Sequence, residues 1–157
     1  WARDGEIAEQ SHLRGRTPDS LKKILSMNPE EARRCGKGIR WVFCSPGSVP
    51  LLSGDERILA LLGFGAGNAP ASLLAGIADA YAEGAKPLVI ACSQAESDVK
   101  DPTAYHDVGV ALLSQRGFDV WGQMDYPVEF IHALGCYALM AFPSDPGRAL
   151  DKFLRKY

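Results

Sequence analysis

The sequence predicts a three-layer, Rossmann-like α/β fold, with an about four-stranded parallel sheet and helices on both faces. Two observations carry this. Short apolar runs, IRWVFC (39–44), RILALLG (57–63), PLVIAC (87–92) and the weaker FDVW (118–121), alternate with stretches of helical periodicity. Each of the first three runs is followed by a loop rich in Gly, Ser or Pro, and PLVIAC is apolar on both faces, as a strand covered by helices on each side should be. At 157 residues the chain suits one hydrophobic core.

Residues 1–38 read as a polar, arginine-rich helical extension, and 39–157 as the α/β domain. Two helix starts are written in the extension: Thr17-Pro18-Asp19-Ser20 before LKKIL, and Asn28-Pro29-Glu30-Glu31 before ARRC. Each pairs a capping side chain with proline at the first helical position and acids in the first turn. The second is expected to stop at Gly36.

The runs at 39–44 and 57–63 are read as buried strands, with only a turn or two in VPLLSGDE between them. ASLLAGIADAYAEG then places Leu73, Leu74, Ile77, Ala80 and Tyr81 on one helical side and stops at Gly84. After the strand at 87–92, the polar loop SQAESDVKDPT leads to a helix from about Ala104 to Gln115. A long helix enters through Pro127, and SDPGRALDKFLRKY is read as a last amphipathic helix. Strand and helix alternating in this way imply parallel strands joined by crossovers.

The charge balance, 17 Lys+Arg against 19 Asp+Glu, argues against a nucleic-acid partner. No apolar run has the length of a membrane span, and no signal peptide is read at the start; opening on Trp1 reads as a fragment or a processed chain. Cys35, Cys44, Cys92 and Cys136 lack metal-ligand spacing and read as free thiols of a reducing, cytoplasmic compartment. His12, His106 and His132 are too dispersed for a metal motif, and no cofactor is expected.

Ligands of open parallel sheets bind outside the carboxyl ends of the strands. That directs attention to SPG (45–47), GAGNAP (65–70) and SQAESDVKDPT (93–103). Gly63, Gly65 and Gly67 follow a strand and precede a helix, but the spacing is not G-x-G-x-x-G, and the next strand closes on Ala91-Cys92-Ser93 without the ribose-binding acid. The glycines also suit a tight strand exit beneath closely packed backbone.

Ser93 with His106 and Asp98, Asp101 or Asp107 could be imagined as a triad, yet no G-x-S-x-G elbow supports it. An unrelated Rossmann-like enzyme using Ser93 or Cys92 is the weakest reading. His106 is read as a first-turn helix residue and His132 as a partly buried core histidine.

The order GFGAGNAP, helix, strand ending Ser93-Gln94, Tyr105, Gly109, RGF, then Asp125, Glu129 and Tyr137 resembles the C-terminal domain of the L-asparaginase family. It is similar in particular to the cytosolic, type I branch and to the asparaginase-like subunit of archaeal tRNA-dependent amidotransferase. The match runs over roughly residues 39–142, and GAGNAP is its sharp motif.

The resemblance implies an amino-acid site, for asparagine or aspartate, containing Gly65, Gly67, Asn68, Ser93 and Gln94. Asn68 would reach across a dimer interface towards a neighbouring subunit's substrate; alternatively it caps the following helix or takes a left-handed turn conformation. The family's catalytic T-G-G-T and D-G-T-D segments belong to an N-terminal domain and occur nowhere in residues 1–157. Leu62, Ala95 and Leu134 stand where some members have the arginine and cysteine of an effector site and a helix lysine. The implied role is therefore a non-catalytic asparaginase-type domain, partnered by itself or by a catalytic domain. The alternative is a stand-alone protein-interaction or small-ligand module, favoured by the capped basic helices at 17–35.

Overall fold

The computed structural model describes residues 26–65, 67–95 and 109–156, together with the short strands β1 (Ala2–Arg3) and β2 (Glu6–Ile7), which pair antiparallel. The helix expected after Thr17, the loop from residue 96 onward with Asp98 and Asp101, and Tyr105, His106, Asp107 and His12 lie outside the described residues.

The remaining elements are α1 (Pro29–Gly36), β3 (Ile39–Phe43), β4 (Ile58–Gly63), α2 (Ala71–Ala80), β5 (Leu88–Ser93), α3 (Ala111–Gln115), β6 (Val120–Gly122), α4 (Val128–Ala141), α5 (Gly147–Leu150) and β7 (Arg155–Lys156). The sheet runs β3-β4-β5-β6-β7; the first four strands are parallel, and β7 pairs antiparallel with β6. This is the expected four-stranded parallel sheet with one short strand added at its edge.

Alternation along the strands explains why they read as apolar throughout. Leu59, Leu61, Val89 and Ala91 join one core with Leu73, Leu74 and Ile77 of α2 and with Leu113 and Phe118. Ile58, Ile90 and Cys92 point into a second core with Ile131, Leu134 and Ala138 of α4 and with Leu150 and Phe153. A central strand buried on both faces has no polar face to show.

The N-terminal cap works as the sequence says. Asn28 Oδ1 accepts from the Glu30 backbone N–H at 3.0 Å, Pro29 opens α1, and the helix ends at Gly36. Met27 and Cys35 pack against the second core, so α1 lies on α4.

Three expectations are corrected. The strand at 39–44 is an edge strand, not a buried one, and Phe43 is 61% exposed. The helix after the glycine turn ends at Ala80 rather than Gly84, and Ala78, not the exposed Ala80, faces the core. Here Tyr81 turns its hydroxyl onto the buried carboxylate of Glu56, which ties the helix end to the loop before β4.

The C-terminal segment is not one amphipathic helix. After the four residues of α5 the chain turns, buries Phe153 and Leu154, and places Trp121 opposite Lys156 and Gly122 opposite Arg155. The free edge of β6 offers backbone hydrogen bonds that a further turn of exposed helix would not exploit.

Candidate functional site

Register brings β4 and β5 to an end together, Gly63 opposite Ser93, with Phe43 of β3 opposite Leu62. The turn at 64–70 therefore leaves the sheet beside Ser93 and Gln94.

Its glycines serve two different purposes. A Cβ on Gly63 would lie 2.3 Å from the Asn68 carbonyl oxygen and 2.5 Å from the Gly67 carbonyl carbon, so the turn folds back directly onto the strand end. Gly65 and Gly67 instead take left-handed backbone conformations, φ +45° and +83°, which reverse the chain. Phe64 N–H donates to the Asn68 carbonyl at 2.7 Å, and the Gly67 and Asn68 N–H groups return to the Phe64 carbonyl at 2.9 Å each.

Ser93 and Gln94 hold this turn to the sheet. Ser93 Oγ donates to the Gly65 carbonyl and accepts from Ala95 N–H at 3.0 Å, while Ser93 N–H donates to Gln123 Oε1 at 2.9 Å. Gln94 N–H donates to the Gly63 carbonyl at 2.9 Å. Its Nε2 donates to the carbonyls of Cys44 (2.8 Å) and Leu62 (2.6 Å), so it joins the ends of three strands.

Asn68 is half-buried. Its Oδ1 accepts from Ala69 N–H at 2.9 Å, and its Nδ2 makes no hydrogen bond among the described residues. The side chain does not cap α2, whose cap position is Pro70, and the backbone of Asn68 is not left-handed. Both local roles considered from the sequence are thereby replaced by a hydrogen bond to the next residue.

Beneath the amide lies Gly109, at φ +65°, where a Cβ would come within 1.7 Å of Asn68 Oδ1 and 2.7 Å of its Cγ. All five residues expected at the site, Gly65, Gly67, Asn68, Ser93 and Gln94, thus gather at one strand-end turn. Gly109 and Gln123 were not singled out for these roles. Gly109 entered only through its spacing, since no local signal shows which side chain will lie on a distant glycine.

The nucleophile candidates fare differently. Cys92 is fully buried, and burial pushes its thiol far above the ordinary range; Cys44 is likewise pushed up to about 11. A protonated, sealed thiol is inert. Ser93 Oγ is engaged with backbone on both sides, and the histidine imagined as its base lies outside the described residues. Among the described residues no group of three or more His, Cys, Asp or Glu side chains could hold a metal ion.

His132 is exposed rather than partly buried. Trp41 Nε1–H donates to its Nδ1 at 3.1 Å, and Cys136 Sγ lies 3.8 Å from its Nε2. It borders a shallow, largely apolar cavity of about 560 Å³ between α1 and α4, which takes no residue from the strand-end turn.

No protein-family model and no curated protein matches the chain. Among solved structures it is similar to L-asparaginase I from Vibrio cholerae O1 biovar eltor, at 23% identity and a TM-score of 0.50, over 74% of this chain. The matched region is 35% of the length of that chain, so the present chain spans about a third of it. The likeness establishes the architecture: this domain has an asparaginase-like α/β fold.

Proposed function

We propose that the chain is the C-terminal-type domain of an asparaginase/glutaminase amidohydrolase, binding a small amino acid such as asparagine or aspartate at the strand-end turn. It supplies no nucleophile of its own and acts through contacts with a second copy or with a catalytic-domain partner. The observation that carries this reading is Asn68. On a fold of asparaginase type, its amide is held at the carboxyl ends of β4 and β5, beside Ser93 and Gln94, with Nδ2 unengaged among the described residues. Completed by a catalytic domain, the assembly would hydrolyse a side-chain amide by threonine attack through an acyl-enzyme. A cytoplasmic location belongs to the same proposal; among the described residues no helix is long and apolar enough to cross a membrane.

Calorimetry with aspartate and asparagine tests the binding, and ammonia release from asparagine and glutamine tests the missing chemistry. Binding by the wild type that Asn68→Ala weakens about tenfold, the value of one hydrogen bond to a charged group, is expected, with no ammonia from the chain alone. Ammonia release abolished by Ser93→Ala would overturn the proposal.

A second reading, a stand-alone interaction module, is favoured by one specific feature. Phe43, Val49, Leu51 and Phe64 are all exposed large apolar residues, on the edge strand, the loop that follows it and the glycine turn. Equilibrium sedimentation separates the readings: a monomer that binds no amino acid but captures a protein through this rim would favour the module.

A further inference from the structure

We infer that Gly109 is a positioning residue that makes Asn68 a donor-only group, so that the turn takes the carboxylate of its ligand and not the ammonium. The inference rests on the amino-acid site proposed above and deepens it. A free asparagine amide has one acceptor oxygen and two N–H donors, and could face either end of an amino acid. Here the oxygen is committed. The Ala69 N–H donates to it at 2.9 Å, which also fixes the amide's orientation, because a flipped amide would place NH₂ against N–H.

Gly109 packs against the same oxygen. A single added carbon at that position would lie 1.7 Å from Oδ1 but 3.3 Å from Nδ2. Gly109 therefore packs against the oxygen side of the amide more closely than the nitrogen side, and Nδ2 makes no hydrogen bond among the described residues. Only glycine permits this approach, and the left-handed φ of +65° suits glycine independently. What remains to a ligand is Nδ2 with two hydrogens, complementary to a carboxylate oxygen and repelled by an ammonium.

The decisive probes are aspartate and succinate, the second lacking the amino group. Asn68→Ala should weaken both by the same factor, about tenfold or more, as expected for one charge-assisted hydrogen bond. An Asn68→Ala effect confined to aspartate would place Asn68 on the ammonium and overturn the inference. Asn68→Asp keeps the shape and the Ala69 bond but sets one carboxylate against another. It should weaken succinate binding more than Asn68→Ala does; unchanged binding would again overturn the inference.

Gly109→Ala should weaken aspartate as much as Asn68→Ala and have no further effect in the Asn68→Ala background. In the ligand-free protein it should shift or split the single Nδ2 resonance pair of Asn68. Gly54→Ala, with left-handed φ +86° and nothing within 4 Å of the new carbon, carries the conformational cost alone and should leave that pair unmoved. An Nδ2 pair and affinity unchanged in Gly109→Ala would refute the positioning role. If the wild type binds none of aspartate, asparagine or succinate, the amino-acid site and the carboxylate preference fall together, while the ligand-free spectrum still decides the Gly109 contact.

Discussion

Replacing Glu56 by glutamine removes one charge and no volume, at a residue only 5% exposed. Burial by itself would raise the carboxyl's pKa, but donors on both oxygens reverse that. Oε1 accepts from the Ser53 N–H (2.8 Å) and hydroxyl (2.8 Å); Oε2 accepts from the Gly54 N–H (2.9 Å) and from the Tyr81 hydroxyl. Arg40 Nε stands 3.5 Å from Oε1.

The result is a pKa lowered from 4.5 to about 2. At about 1.4 kcal/mol per unit, that is about 3 kcal/mol of stability held by the ionised form. The sign follows from the folded pKa being depressed. The stabilisation is complete above the ordinary carboxylate pKa and is lost as pH falls towards about 2.

In Glu56→Gln, either orientation of the amide turns NH₂ towards a backbone N–H, that of Ser53 or of Gly54, so the variant cannot recover the network. Urea unfolding followed by tryptophan fluorescence should show a deficit of about 3 kcal/mol near neutral pH that shrinks towards zero at about pH 2. Wild type and variant losing stability in parallel across that window, or a deficit below about 1 kcal/mol near neutrality, would refute the reasoning. Tyr81 adds the opposite limb. Burial and then the Glu56 carboxylate raise its pKa above the ordinary 10.0, so its contribution is lost as pH rises beyond that value.

Further predictions concern the scaffold of the site. Gly63→Ala forces a methyl into backbone that cannot rotate away and should cost about 3 kcal/mol or more in the same unfolding assay. Gly76→Ala, inside α2 with nothing within 4 Å, should instead stabilise by about 0.5–1 kcal/mol. Gln94→Ala leaves the Cys44 carbonyl without its side-chain donor, while the Leu62 carbonyl keeps the Cys44 N–H, and should lower stability by about 1 kcal/mol, with a midpoint shift as readout. Thiol titration of the native protein should leave Cys92 and Cys44 unreacted until denaturant is added, since both are fully buried with raised thiol pKa values.

The parts legible in the sequence are those whose cause is local. Asn28-Pro29 before Glu30-Glu31 starts a helix for local reasons, because Asn28 satisfies a backbone N–H and Pro29 presets φ. The strands at 58–63 and 88–93 are legible because ILALL and LVIAC are apolar without a break between punctuating loops. The edge position of β3 shows in the sequence only as the charged Arg40 within IRWVFC, and it is the strand order that exposes Phe43. β7 was not legible: its strand conformation exists because β6 has a free edge for Arg155–Lys156 to join.

The glycine turn divides in the same way. Its sequence alone determined that residues 63–70 would leave a strand sharply and begin a helix, because glycine density and Pro70 act on φ and ψ one residue at a time. Tertiary structure decided what each residue is for. Gly63 is glycine because Asn68's own carbonyl lies on it, Ser93 is a clamp because strand register puts it beside Gly65, and Gly109, forty-one positions beyond Asn68, is packed against its amide oxygen. The Ser93 and Gly109 contacts join groups far apart in the chain, and no local propensity encodes a distance that only packing creates.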